Sequence, residues 1–158
     1  MKKSRIFAIR YPITSTIWNH NMNNRLTNMP LSHFQPIQDK TVDIIDAILQ
    51  TEEVASLEDE RNEIRLVIEE LVVNVVDYSG STYLDVELKR DENSITLQFR
   101  DGGVPFNPLA KEEPDVTLPI EQRTIGGLGI FLVINMTDKV EYEHTNGENI
   151  LTVLKKLS

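Results

Sequence analysis

Apolar residues recur along this chain with two different periods, and the switches between them mark the elements. From Gln38 to Leu49 the apolar positions Val42, Ile45, Ile48 and Leu49 return at helical spacing, which predicts an amphipathic helix. A second helix is predicted from about Leu57 to Ser79, with Ile64, Ile68, Leu71, Val72 and Val75 along its core face. Period two then takes over. Tyr83, Asp85, Glu87 and Lys89 alternate with Leu84, Val86 and Leu88, so Tyr83–Lys89 reads as a strand with one apolar face. Asp91-Glu92-Asn93 is turn chemistry, and Ser94–Arg100 supplies the partner strand of a hairpin. Val140–His144 and Asn149–Leu154 form a closing hairpin around Asn146-Gly147, a strong turn signal.

The segments between these elements are less regular. Residues 101–124 hold Pro105, Pro108, Pro114 and Pro119 and cannot be one regular element. A loop of this length inside a compact domain is usually functional, often a lid. Gly126 onward opens a helix expected to end near Met136. Residues 1–30 mix Asn19, Asn21, Asn23 and Asn24 with isolated apolar residues, and no period holds for long. Ile6, Ala8 and their neighbours fit an edge strand or the start of a loose tail. The chain therefore divides into an N-terminal extension, 1–30, and one folded domain, 31–158. The order helix, helix, hairpin, lid, helix, hairpin implies an α/β two-layer sandwich of the α+β kind. Its helices lie on one face of a mainly antiparallel mixed sheet.

Composition narrows the function classes. A length of 158 residues suits one domain around a single core. The net charge of −9 argues against a nucleic-acid partner, since no basic patch is visible to neutralise phosphates. There is no cysteine, so disulfides, thiolate chemistry and Cys-ligated zinc are excluded. His20, His33 and His144 are scattered without ligand spacing. No apolar run approaches the roughly 18 residues of a membrane span, and the stretch Ile6–Ile9 is too short for a signal peptide. The expected location is the cytoplasm.

Two features carry candidate chemistry. The second half of the long predicted helix is apolar nearly all round, yet Glu70, Asn74 and Asp77 align on one face at i, i+4 and i+7. A buried carboxylate without partners is costly, so this stripe meets either water or a ligand. In the functional reading Glu70 is a general base and Asn74 an oxygen ligand for Mg²⁺, an ion that leaves most of its positions to phosphates and water. The second feature is glycine. Five of the seven glycines fall in Asp101-Gly102-Gly103-Val104-Pro105-Phe106-Asn107-Pro108 and Gly126-Gly127-Leu128-Gly129. Asp101 fits a plain turn cap or a ligand acceptor at a strand end. The second cluster fits a helix N-cap or a phosphate site, because free N–H groups and the helix dipole favour an anion there. Phe106 reads more simply as packing at the lid base, and Thr152 as an ordinary β-former.

Taken together, these motifs resemble the ATP-binding domain shared by gyrase-type, Hsp90-type, histidine-kinase and MutL-type proteins, a Bergerat-type fold. Glu70-Leu-Val-Val-Asn74 is similar to that superfamily's asparagine box. Asp101-Gly-Gly103-Val-Pro-Phe106-Asn-Pro108 is similar to its first glycine box, in which the Asp accepts from the adenine amino group. Gly126-Gly127-Leu128-Gly129 is similar to the second, whose backbone approaches the phosphates. Thr152 matches a position that supports adenine through its hydroxyl, and the resemblance spans about residues 38–157. It implies ATP and Mg²⁺ as cofactors, with Asn74 as the magnesium ligand and Asp77 beside it in the nucleotide site.

Within that superfamily the chain most resembles the stand-alone anti-sigma-factor serine kinases. The resemblance lies in the Phe-Asn-Pro ending of the first box and in Gly-Gly-Leu-Gly-Ile-Phe-Leu-Val. It implies a protein-serine kinase in which Glu70 prepares a serine of an anti-anti-sigma partner for attack on the γ-phosphate. It also implies a sigma factor as a second partner, and a homodimer. Arg123, just before the glycines, would touch the γ-phosphate when the lid closes. Two positions depart from the superfamily pattern: Tyr78 stands where histidine is frequent, and Ser79 follows it in place of a small apolar residue. A non-catalytic ATP-dependent binding module is the first alternative. A detached histidine-kinase ATPase domain is disfavoured, because His33 lies in a Pro-flanked context rather than on an acceptor helix.

Overall fold

The computed structural model describes residues 5–13, 37–110, 117 and 128–158. Five strands form one sheet in the order β1-β2-β3-β5-β4. They are β1 (Arg5–Pro12), β2 (Tyr83–Arg90), β3 (Ser94–Asp101), β4 (Lys139–Thr145) and β5 (Glu148–Lys156). Every ladder among the described residues is antiparallel, so the sheet is antiparallel rather than mixed. Helices α1 (Ile37–Leu49), α3 (Arg61–Asn74) and α4 (Leu128–Met136) form the second layer, with the short α2 (Glu52–Ala55) between the first two. This is the two-layer sandwich that the order of the elements implies.

Both hairpins form where alternation and turn residues place them. Asp91 Oδ1 accepts from the backbone N–H groups of Asn93 and Ser94, each at 2.8 Å, which closes the β2–β3 turn. The β4–β5 turn puts Asn146 and Gly147 at φ 53° and 76°, the left-handed region that a two-residue hairpin loop demands. Residues 5–12, which the sequence leaves open between edge strand and tail, pair with β2 from Arg5↔Arg90 to Pro12↔Tyr83. A boundary at residue 30 therefore cuts through the sheet.

The core lies between the layers. Leu84, Val86 and Leu88 of β2, Ile95, Leu97 and Phe99 of β3, and Val153 of β5 face Ile64, Val67, Ile68, Leu71 and Val72 of α3. The phase of α1 corrects one sequence expectation. Ile44 and Ile48 are buried, whereas Val42 is 53% exposed. Six residues from Ile48, at about 100° per residue, Val42 is carried well round the helix from the buried stripe. The second helix also differs from its expected span. It starts at Arg61, and its last turn, Val75–Ser79, widens into π-type bonding before Gly80 at φ 68° stops it.

The opposite face of the sheet carries polar pairs. Arg10 clamps Asp85 through two bonds of 2.7 and 2.9 Å, and Gln98 Nε2 donates to Thr152 Oγ1 at 3.2 Å. Leu97→Ala is expected to cost about 2–5 kcal/mol in chemical denaturation, because it opens a cavity under α3. Its outward neighbour offers the contrast: Thr96→Ala should cost under about 1 kcal/mol.

Candidate functional site

The pocket is built where β3 ends against the widened last turn of α3. Period-two alternation turns Leu97, Phe99 and Asp101 toward the helices, so the final inward position of an apolar strand is a carboxylate. Asp101 is only 4% exposed. Its Oδ1 accepts from Gly103 N–H at 2.9 Å and from Asn149 Nδ2 at 3.1 Å. No other hydrogen bond and no cation reaches this carboxylate among the described residues, which leaves Oδ2 for a donor arriving in the pocket. A hydrogen bond to a charged group contributes about 1.5–3 kcal/mol, enough to select a ligand by its donor.

The pocket opens to solvent at its mouth. Its walls are apolar: Leu71 and Val75 from the helix, Phe99 and Leu151 from the sheet, and Phe106 with Pro108 from the loop. Asn74, the last residue of α3, stands on its rim side among the lining residues.

The loop after β3 is held by close backbone approach. A Cβ built at Gly103 would lie 2.0 Å from the Ser79 carbonyl oxygen, which accepts from Val104 N–H at 3.0 Å. Only glycine permits that contact. At Gly102 a Cβ would fall 2.9 Å from the Tyr83 ring, while Gly102 N–H donates to Ser81 Oγ at 2.9 Å.

Asn149 ties the arrangement together. Its Nδ2 donates to Val104 O at 2.9 Å as well as to Asp101, and its Oδ1 accepts from Tyr142 O–H at 2.6 Å and Phe106 N–H at 3.1 Å. One buried amide therefore holds the carboxylate, the loop and β4 in register. Asn149 and Tyr142 were not singled out from sequence. The signal that finds Asn149 is strand parity: Asn149, Leu151 and Val153 face inward together. The same parity corrects the expectation for Thr152. It lies on the far face of the sheet, bonded to Gln98, and cannot reach the pocket.

Glu70 sits half-buried on α3, where removal from water raises its pKa above the ordinary carboxylate value and the adjacent Glu69 charge adds to the rise. It faces α4, whose second residue, Gly129, lies directly against its carboxylate. Leu128, the first residue of that helix, is 41% exposed. Of Glu70, Asn74 and Asp77, the pocket lining includes Asn74 alone: Glu70 faces α4, and Asp77 is exposed in the widened turn. The shift from α to π bonding after Asn74 is what turns Asp77 out of line. Arg123, Gly126 and Gly127 lie outside the described residues.

The sign of the Glu70 shift sets a stability test. A carboxyl whose folded pKa is raised binds its proton more tightly in the fold than in the unfolded chain. Its contribution is favourable at low pH and is lost as pH rises through the folded pKa. Glu70→Gln is therefore expected to raise Tm near pH 7.5 and to leave it unchanged near pH 3, as read by differential scanning calorimetry.

Comparisons with known proteins place the chain in a family. The sequence profile described as the histidine kinase-like ATPase domain matches residues 39–155. A serine-protein kinase, RsbW, of Halalkalibacterium halodurans is 32% identical over 97 residues, 56% of this chain and 59% of that protein. The chain thus spans less than two thirds of that relative's length. With the profile covering most of the chain and the two-layer fold in place, the chain belongs to the family of histidine kinase-like ATPase domains.

Proposed function

We propose that this protein binds Mg-ATP and transfers its γ-phosphate to a serine of a regulatory partner, an anti-anti-sigma protein in a sigma-factor switch. The observation that carries the nucleotide reading is the buried Asp101, with one oxygen held by Gly103 and Asn149 and the other turned to an apolar pocket. Adenine meets that oxygen with its amino group and fills the pocket with its ring. The kinase reading rests on Glu70 and on the likeness to the Halalkalibacterium halodurans serine-protein kinase.

The residues present fit magnesium in the way it is held with nucleotides. No group of three or more His, Cys, Asp and Glu forms a metal cage among the described residues. Asn74 supplies a single side-chain oxygen at the pocket edge, and a nucleotide's phosphates with water supply the rest. Bound there, Mg²⁺ neutralises charge on the phosphates.

Glu70 takes the proton of the attacking serine. As the serine Oγ bonds to the γ-phosphorus, the bond from that phosphorus to the bridging oxygen breaks and ADP leaves. Its raised pKa makes Glu70 a stronger base than an exposed carboxylate. Positioning and charge stabilisation supply the remainder of the rate in such transfers. The sigma factor and a homodimer complete the proposed assembly in the cytoplasm.

Purified protein, labelled ATP and an anti-anti-sigma protein from the same genome test the reading. Glu70→Gln is expected to lower transfer by about 10²–10⁴-fold while ATP affinity stays within about twofold, since the amide keeps the size of the carboxyl. The wild-type rate should rise with pH through the Glu70 pKa, which lies above the ordinary carboxylate value, and then level off. ATP binding with no phosphoserine on the partner would favour a non-catalytic module gated by nucleotide. The base pocket has its own test by calorimetry: Asn149→Ala should weaken ATP binding about tenfold or more, whereas Thr152→Val, on the far face, should leave it unchanged.

A further inference from the structure

Glycine is a weak helix former, yet Gly129 is the second residue of the nine-residue α4. What it meets differs from what Gly102 and Gly103 meet. A Cβ built at Gly129 would lie 1.9 Å from Glu70 Oε2 and 2.7 Å from its Cδ. No L side chain fits there while the carboxylate keeps its place. The contact joins α3 to α4, which pack side by side.

Removal from water dominates what the carboxylate feels between the two helices. Helix α4 carries no charged residue, from Leu128 to Met136. On α3 the charge beside Glu70 is Glu69, which is bonded to Arg65 at 2.9 Å.

We propose that Gly129 is a positioning residue for the base: its bare α-carbon is the seat on which the Glu70 carboxylate rests between α3 and α4, and any side chain there displaces it. The proposal rests on the assignment of Glu70 as the base. It separates two duties within the second glycine cluster. Seating the base is the part that falls to Gly129. A side chain at position 129 then lowers turnover without removing the nucleotide.

The test is Gly129→Ala in the full chain, with three readouts. Binding of Mg-ATP, by calorimetry, should stay within about threefold of wild type. Transfer at saturating Mg-ATP should fall about 10- to 100-fold, part of the loss of a general base. Added to Glu70→Gln, the same substitution should cost nothing more, since the base is already gone. In the nucleotide-free protein the Glu70 carboxyl ¹³C resonance should titrate at lower pH than in wild type, because the displaced group returns to water. An unmoved Glu70 titration, with ATP affinity and rate lost together, would overturn the proposal. That titration needs neither nucleotide nor partner, so it decides the role of Gly129 even where the kinase reading fails. Should Gly129→Ala not fold, the double variant Glu70→Ala, Gly129→Ala removes the collision. Its folding supports the contact, and its failure to fold overturns it.

Discussion

The site depends on one buried carboxylate. Asp101 ends an apolar strand under the helix layer, where an ion without partners costs several kcal/mol. What keeps it there is the register of three strands: Asp101 stands opposite Leu84 on one side and Asn149 on the other. That pairing delivers the Asn149 amide to Oδ1, and the close turn at Gly103 delivers a backbone N–H to the same atom. The loop, the Tyr142 hydroxyl and the pocket's apolar walls are all placed by those two bonds. A shift of one residue in β5 would turn Asn149 away and bring Glu148 or Ile150 inward.

The surroundings of Glu70 follow the same principle of shape around a carboxylate. Asp101 has one oxygen held by two donors, and Glu70 rests against a glycine between two helices. The first is suited to recognising a donor, the second to accepting a proton. The helix that carries Glu70 and Asn74 changes from α to π bonding straight after Asn74, which ends the polar stripe and opens room for the pocket.

Much of this was legible in the sequence, for physical reasons that differ by element. Alternation showed both hairpins, because each strand of β2 and β3 has one wet face and one dry face. Asp91 and Asn146-Gly147 marked their turns by backbone chemistry. The glycine at 103 was legible as a special position, though only the structure shows the Ser79 carbonyl that demands it. The misses are matters of phase. Val42 and Ile44 are both apolar, so α1 could be turned either way until packing chose Ile44. Thr152 and Asn149 differ in strand parity, and a motif match carries no parity. Strand β1 was ambiguous because Ile6, Phe7, Ala8 and Ile9 put apolar residues on both of its faces, so no period of two stands out. Asp77 continued a helical stripe that the π-type turn interrupts, and nothing in the residue types announces that turn.

The measurement that tests the account most directly is a parallel calorimetric titration of the wild-type protein with Mg-ATP and Mg-GTP. Guanine presents a carbonyl oxygen where adenine presents an amino group, so it sets an acceptor against the Asp101 carboxylate. The account predicts saturable binding of ATP and binding of GTP weaker by at least about tenfold. Equal affinity for the two, or no binding of ATP up to millimolar concentration, would contradict it.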